Sequence, residues 1–224
     1  MNKLPNKVIS RLTLYHCILV DYIERDITFV SSLKLSKLLS IDDSQIRKDI
    51  KLLDYKGKCK VGYSVKELKE VIEHRLTFKR SKDVFIVGAG NLGLALAKND
   101  NFDYYGFNIL ALFDSNDLKT GISIDSKEIF HISRLPDLTS RLRVEIAILT
   151  VPRSQAQKVA DLLIDSGIKY IWNFTQCILD VPNDIHVWNE NLIGHFLQLT
   201  IEDESTVNNT ELKDIKTEDS MVKI

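Results

Sequence analysis

The run Val84-Phe85-Ile86-Val87 followed by Gly88-Ala89-Gly90-Asn91-Leu92-Gly93 constrains this chain more than any other feature of its sequence. A G-x-G-x-x-G pattern alone is weak. Here it follows a short apolar β run and opens a helical stretch from Leu92, the context in which such a turn holds phosphate. Gly88 permits a tight turn, Gly90 lets backbone approach a pyrophosphate, and Gly93 lets helix and strand pack closely. Amide groups of Ala89, Asn91 and Leu92, at the start of the helix, then face the phosphates. The competing reading is a glycine-rich turn that holds no ligand.

The chain beyond this turn fits a nucleotide fold. Residues 107–113 form a second apolar run that ends at Asp114, 21 residues beyond Gly93. An acidic residue there accepts hydrogen bonds from the adenosine ribose hydroxyls and repels a 2′-phosphate, which favours NAD(H) over NADP(H). No Arg or Lys occurs at 115–118 to reverse that preference. The alternative for Asp114 is a loop cap. Further strands are predicted at 144–151 and 168–174, with a helix over 152–166 between them. Strands alternating with helices imply a Rossmann-type parallel sheet covered on both faces. Thr150, Val151 and Pro152 at the end of one strand, and Asn173 and Phe174 at the end of the next, fall at the carboxyl edge where ligands of open α/β sheets bind. They are candidates to line the nicotinamide side.

The first 80 residues have another character. They carry 17 Lys and Arg against 10 Asp and Glu, a net of +7, whereas the remainder has 13 against 21, a net of −8. A basic segment joined to an acidic one points to a polyanion meeting only the first. Two solvated surfaces of unlike charge are the plainer explanation. Within 8–24, Ile9, Leu12, Tyr15, Ile18, Leu19 and Tyr22 share one helical face. Ser31 and Ser32 precede a short leucine-rich helix, a turn spans 40–43, and Asp43 or Ser44 can cap a third helix to about Leu53. Two short helices about a polar turn outline a helix-turn-helix. Residues 55–63, with Gly57 and Gly62 in a basic run, suggest a small hairpin, the wing of a winged helix. A further helix is predicted over 64–76.

On the third helix Ile46, Ile50 and Leu53 face inward, which leaves Ser44, Gln45, Arg47, Lys48 and Lys51 on or near the exposed side. Arg and Gln read base edges, and Lys meets phosphate as a point charge. Lys56, Lys58 and Lys60 alternate along the predicted wing and would aim three charges to one side.

Other chemistry is thin. Cys17, Cys59 and Cys177 are too few and too scattered for a disulfide framework or zinc site, and the five histidines share no metal-ligand spacing. No catalytic residue and no metal site is predicted. No apolar run approaches the roughly 18 residues a membrane span needs, and the N-terminus lacks a signal-peptide pattern. A cytoplasmic location and no membrane contact are therefore expected. The tail after Ile201 is polar and acidic, and disorder is expected there.

Taken together these residues resemble the Rex redox-sensing transcriptional repressors, from about Pro5 to Leu199. The resemblance is carried in order by Ile9-Ser10-Arg11-Leu12 with Tyr15, Ser31-Ser32, Arg47-Lys48-Asp49, Val61-Gly62-Tyr63 and Val87-Gly88-x-Gly90-Asn91-Leu92-Gly93. It continues through Ala111-x-Phe113-Asp114, Thr150-Val151-Pro152 with Ala156-Gln157, and Trp172-Asn173-Phe174. It implies an α/β protein with an N-terminal winged-helix domain (1–78), a Rossmann domain holding NADH or NAD⁺ (79–188), a C-terminal helix (189–201) swapped between the subunits of a homodimer, and a tail (202–224). Such a protein binds palindromic operator DNA as a repressor and is released by NADH. The resemblance places Arg47 and Lys48 at the operator; Arg11, Ser32, Ser44, Gln45, Lys51, Lys58 and Lys60 complete the expected DNA face. Residues 88–93 and Asp114 would hold the adenosine diphosphate half.

Several positions depart from what the resemblance calls for. Cys17 stands where an Arg is usual, Asn191 where its Asp partner is usual, Asn99 in place of a Tyr that joins the pair, and Leu192 in place of an aromatic beside the nicotinamide. Leu52-Leu53-Asp54 replaces Tyr-Phe-Gly, Cys59-Lys60 replaces the Arg-Gly of the wing, and Thr175-Gln176 replaces Ala-Pro after Asn173-Phe174. Two readings compete with an ordinary redox sensor. One is a divergent paralogue that binds NAD(H) with an altered switch or altered DNA specificity and serves as a regulatory partner. The other is an NAD-dependent oxidoreductase, disfavoured because about 25 ordered residues after the nucleotide fold are too few for a substrate domain.

Overall fold

The structure is a computed structural model and describes residues 4–78, 80–194 and 197. The chain divides into two compact units: Met1–Ser81 with Asn101–Phe107, and Lys82–Asp100 with Asn108–Ile224.

The first unit opens with α1 (Asn6–Glu24), whose Val8, Leu12, Tyr15, His16, Leu19 and Tyr22 are buried. The three- and four-residue spacing predicts this face, but Val8 takes the place expected of Ile9, which remains 36% exposed. β1 (Phe29–Val30) leads into α2 (Ser32–Leu39), with the Ser31 side chain accepting from the Lys34 amide. Helix α3 (Asp43–Lys51) is capped by Asp42 rather than by Asp43 or Ser44 as expected; its carboxylate accepts from the amides of Ser44 and Gln45. β2 (Tyr63–Ser64) precedes α4 (Val65–Leu76), and the Ser64 side chain caps α4 through the Glu67 amide. Buried Leu12, Leu19, Leu35, Ile46, Ile50, Leu68 and Ile72 meet in one core, and each such side chain contributes about 2 kcal/mol when fully removed from water.

The wing takes a different form from the hairpin expected. Tyr63–Ser64 pairs antiparallel with Phe29–Val30 rather than with 56–58. The loop itself closes on a single bridge between Lys58 and Gly62, with both amide–carbonyl bonds at 2.7 and 2.9 Å. Gly62 sits at φ +106°, and a Cβ there would fall 2.5 Å from the Val30 carbonyl oxygen. Lys60 lies at the tip with φ +61°. A left-handed residue breaks the period-two alternation of a strand, so the expected one-sided row of Lys56, Lys58 and Lys60 does not form.

Residues 101–107 join this unit without any signal in the sequence around them. α6 (Asn101–Tyr104) brings Tyr104 and Tyr105 beside α1 and α4: the Tyr104 hydroxyl donates to Glu73 at 2.9 Å, and Tyr105 stacks edge-on to Phe78 at 4.8 Å. His16 Nε2 and Lys69 Nζ converge on the same Glu73 oxygen. Burial by itself would raise the Glu73 carboxyl, but these donors outweigh it and hold it at about 2.

The second unit is a seven-stranded sheet flanked by helices. Its strands are β3 (Lys82–Val87), β4 (Phe107–Asp114), β5 (Ser123–Ile124), β6 (Lys127–His131), β7 (Ile146–Leu149), β8 (Tyr170–Asn173) and β9 (His186–Asn189), in the order β5-β6-β4-β3-β7-β8-β9. Pairs β3–β7, β7–β8, β8–β9 and β4–β6 are parallel, and the short β5 is antiparallel to β6. The helices are α5 (Asn91–Ala97), α7 (Leu135–Leu142) and α8 (Ala156–Asp165). Central strands β3 and β7 read as continuous apolar runs because both faces are covered, and Phe85 packs edge-on to Phe113 at 4.9 Å within the core. Residues 192–194 and 197 are helical. The final helix expected from 189 starts later, because Asn189 ends β9 and Asn191 accepts from the Gly194 amide as a cap. Residues 195–196 and 198–224, which include the acidic tail, lie outside the described residues. Among the described residues no helix is long and apolar enough to cross a membrane.

Candidate dinucleotide site and DNA-facing helix

The parallel register carries the ends of β3, β4, β7 and β8 to one edge of the sheet, and the predicted site residues lie on that edge. Residue 88 turns the chain at φ +108°, with its amide donating to the Phe113 carbonyl at 2.8 Å. Thr150, following β7, ties the turn down: its amide donates to Val87 O at 2.8 Å and its hydroxyl to Gly88 O at 2.8 Å. A Cβ at residue 93 would stand 2.0 Å from Gly88 O, whereas one at residue 90 would meet nothing within 4 Å. The first position is therefore fixed by packing of helix on turn. The second faces open space, as a cradle for a close-lying ligand must.

Asp114 ends β4 facing this turn. Its Oδ2 accepts from the Ala89 amide at 2.9 Å, and its Oδ1 accepts from the Asn116 amide at 2.9 Å. Burial alone would raise the carboxyl, but Lys119 together with the Asn116 and Ala89 amides holds it below the ordinary aspartate value. Lys119 Nζ lies 2.9 Å from Asp114 Oδ2. A cation therefore does reach the acidic residue, from one position beyond the 115–118 window where sequence shows none.

The two strand-end loops differ from each other. Val151 and Pro152 continue from Thr150 into a 3₁₀ turn that leads to α8. Asn173, expected to face the ligand, is 1% exposed, and its polar atoms serve the protein. Its Nδ2 donates to Cys177 O and Asn189 Oδ1, and its Oδ1 accepts from the amide and hydroxyl of Thr175. Asn173 shapes the loop, and a ligand role for its side chain is corrected on that ground. Phe174 is half-buried against Trp172 at 4.7 Å.

In the first unit, α3 presents Ser44, Arg47, Lys48 and Lys51 to solvent. Arg47 pairs with Asp43 at 2.7 Å one turn back, with its side chain still 58% exposed. Ser44 bonds to the capping Asp42, and Gln45 donates to Asp49 at 2.8 Å. Ser32 is half-buried in the first turn of α2, and exposed Lys58 lies over the Phe29 ring at 5.3 Å. Arg11 departs from expectation. Its Nε and Nη2 bind both oxygens of buried Asp49 at 2.5 and 2.7 Å, and the Tyr15 hydroxyl donates to the same carboxylate at 2.8 Å. Its guanidinium anchors α3 to α1, a connection with no short-range sequence signal because 38 residues separate the partners. An open groove of about 1260 Å³ beside the end of α3 is lined by Val8, Lys48, Leu52, Glu70 and Arg75 among others, and includes neither the glycine turn nor Asp114.

A family model described as "CoA binding domain" matches residues 79–177, and one described as "Putative DNA-binding protein N-terminus" matches residues 3–50. A redox-sensing transcriptional repressor Rex of Clostridium perfringens (strain SM101 / Type A) is 42% identical over 192 residues, covering 86% of this chain and 91% of the relative. Its namesake in Clostridium botulinum (strain Hall / ATCC 3502 / NCTC 13319 / Type A) is 38% identical over 193 residues, covering 86% and 92%. The chain belongs to the Rex family. The crystal structure of RSP, a Rex-family repressor, in complex with β-NADH matches with a TM-score of 0.84 at 32% identity, covering 95% of this chain and all of that one. RSP in complex with β-NAD⁺ and operator DNA matches at 0.82, also at 32% identity, covering 96% and 99%.

Within this Rex chain the departures have definite geometry. Asp54 and Lys60, where the resemblance calls for glycine, both keep a left-handed backbone at φ +55° and +61°. Cys17 is exposed, with its sulfur 3.6 Å from the Tyr105 hydroxyl. Asn191 accepts from the Gly194 amide at 2.9 Å and so caps the helical turn beginning there, and Leu192 is 54% exposed.

Proposed function

We propose that this chain is a redox-sensing transcriptional repressor of the cytoplasm, not an enzyme, that binds operator DNA as a homodimer and responds to the balance of NADH and NAD⁺. The observation that carries the reading is the pairing of an open glycine turn with the Asp114 carboxylate 2.9 Å from the Ala89 amide, at the carboxyl edge of a parallel sheet. Gly90, Asn91, Leu92 and Gly93 hold the pyrophosphate on a turn that Gly88 and Ala89 shape, their amides being given to Phe113 and Asp114. Asp114 holds the adenosine ribose, while Thr150, Val151, Pro152 and Phe174 border the nicotinamide side. Arg47 reads base edges, Lys48 and Lys51 meet phosphate, and Lys58 and Lys60 approach the neighbouring groove from the wing. Ser32, Ser44 and Gln45 complete that face. Residues 1–78 act as the DNA-binding domain and 79–188 as the nucleotide domain; the segment that follows β9 is exchanged between subunits. Support comes from the named relatives and from the RSP complexes with NADH, NAD⁺ and operator DNA.

A mobility-shift selection from random DNA at moderate salt tests the reading. A palindrome should be enriched with NAD⁺ present, and failure to enrich any palindrome overturns it.

A second reading rests on Cys17 and Asn191. A charged pair formed in one arrangement of a two-state dimer biases that equilibrium, and a thiol with a carboxamide cannot form one. On this reading the chain is a divergent paralogue with a weakened NADH response. NADH titrated into the operator complex decides between them, since sharp release at low NADH excess over NAD⁺ eliminates the paralogue.

A further inference from the structure

We infer that Lys119 is a specificity residue of the dinucleotide site, covering the charge of Asp114 so that a 2′-phosphate is excluded less strongly than the acidic residue alone would dictate. The inference rests on the reading of Asp114 as the ribose-binding group.

The structural case begins with the loop after β4. Asn116 caps a 3₁₀ turn through the Leu118 amide, and the Lys119 amide donates to Asn116 O at 3.0 Å. The chain then turns at Gly121, whose amide donates to Ile129 O of β6 at 2.9 Å. The loop is thus fastened at both ends, and it delivers Lys119 back to the carboxylate it started from. The Nζ lies 2.9 Å from Asp114 Oδ2, with the Lys119 side chain 37% exposed and that of Asp114 12% exposed.

Asp114 Oδ2 already accepts from both Ala89 and Lys119, and Oδ1 accepts from Asn116. One lone pair of Oδ1 therefore remains for a ribose hydroxyl. The ammonium has three donors, of which one is spent on Asp114, so two remain for whatever stands at the ribose 2′ position. A free hydroxyl can use either group. A 2′-phosphate meets a near-neutral ion pair with spare cationic donors rather than a bare carboxylate.

The test measures calorimetric affinities for NADH and NADPH with the full-length wild type, Lys119→Met and Lys119→Arg. Methionine keeps the length and apolar stem without the charge. In Lys119→Met, NADPH affinity should fall about tenfold, the scale of one charge-assisted phosphate contact near the surface, and NADH affinity by less than about threefold. The ratio between the two ligands should return toward wild type in Lys119→Arg and shrink as salt is raised. An unchanged ratio in Lys119→Met, with NADH still bound, overturns the role of Lys119 while leaving the site intact. Wild-type protein that binds neither dinucleotide overturns the site itself, and the inference with it.

Discussion

Replacing Asp49 with alanine isolates the network that fixes α3 to α1. The carboxylate is 1% exposed and accepts four hydrogen bonds, from Arg11 Nε and Nη2, the Tyr15 hydroxyl and Gln45 Nε2. Truncation leaves Tyr15, itself 0% exposed, with a buried hydroxyl lacking its acceptor, and leaves the Arg11 guanidinium without the carboxylate it binds. Removing one partner of a fully buried pair costs roughly 3–5 kcal/mol. Arg11 is 22% exposed and can partly rehydrate, which places this case at the lower end, about 3 kcal/mol. For a unit of this size, each kcal/mol moves the melting temperature by about 4–8 °C, so the first transition in a thermal scan should fall by roughly 12 °C or more.

The pH dependence follows from the direction of the Asp49 shift. Burial alone would raise this carboxyl, but the bonds from Arg11, Tyr15 and Gln45 outweigh it and set it below the ordinary 3.8. A carboxylate with a depressed folded pKa lends stability that is complete above its unfolded value and is lost as pH falls through the folded one. The gap in melting temperature between wild type and Asp49→Asn should therefore stay constant from about pH 7 to about pH 5 and close below the ordinary value. Circular dichroism melts across that range provide the measurement. A melting point for Asp49→Ala within about 3 °C of wild type would refute the reasoning, as would a gap independent of pH. Arg11→Met separates the anchoring role from direct DNA contact, because only the former lowers the melting temperature.

Gly90→Ala should leave the melting temperature unchanged and abolish dinucleotide binding, whereas Gly93→Ala should cost about 3 kcal/mol through collision with Gly88 O. Thermal scans and calorimetry on the pair test this, and equal destabilisation by both would count against an open cradle at residue 90. Lys60→Gly relieves a left-handed backbone costing about 1–2 kcal/mol against about 0.5–1 kcal/mol of extra chain entropy. It should stabilise by about 0.5 kcal/mol while weakening operator binding at low salt, and a loss of stability would contradict the strain at φ +61°. Lys48→Ala should weaken binding to all DNA sequences alike and reduce the slope of log affinity against log salt by about 0.9 per subunit; selective loss at one base position would instead mark Lys48 as a reader.

The legible parts of this fold are those with local causes. The glycine turn, the Ser31 cap and the apolar β3 each follow from residues within a few positions of one another. β9 does not, because its His186, Trp188 and Asn189 are exposed and only the pairing with β8 makes it a strand. β6 buries Ile129 alone, too little periodicity to be seen. A signal for α7 does exist in Leu135-Pro136 with Leu138 and Leu142, since proline favours the first turn of a helix. Residues 101–107 join the first unit through Glu73, Phe78 and His16, partners too distant in sequence for any window to reveal. At the site, Asp114 is visible by spacing, but Lys119 is not, because it reaches back across a turn whose shape depends on Asn116 and Gly121.

The departures from the family pattern fall into two physical kinds, and the difference bears on which functional reading holds. Asp54 and Lys60 take over glycine positions yet keep the left-handed backbone, so the chain still turns after α3 and at the tip of the 58–62 loop as glycine would have made it. Asn191 retains the capping bond that an aspartate would also form, accepting from Gly194 at 2.9 Å. In each of these the geometry survives the change of residue. At Cys17 and Asn191 what disappears is charge. A cap needs only an acceptor oxygen, whereas an ion pair that biases a dimer needs opposite full charges. The changes keep the geometry that folding requires and, on the second reading, remove the charges that coupling between subunits requires. Restoring the charges with Cys17→Arg and Asn191→Asp together should therefore sharpen NADH-driven release from the operator without moving the melting temperature by more than a few degrees. Sharpening by either single substitution alone would show that something other than their pairing sets the switch.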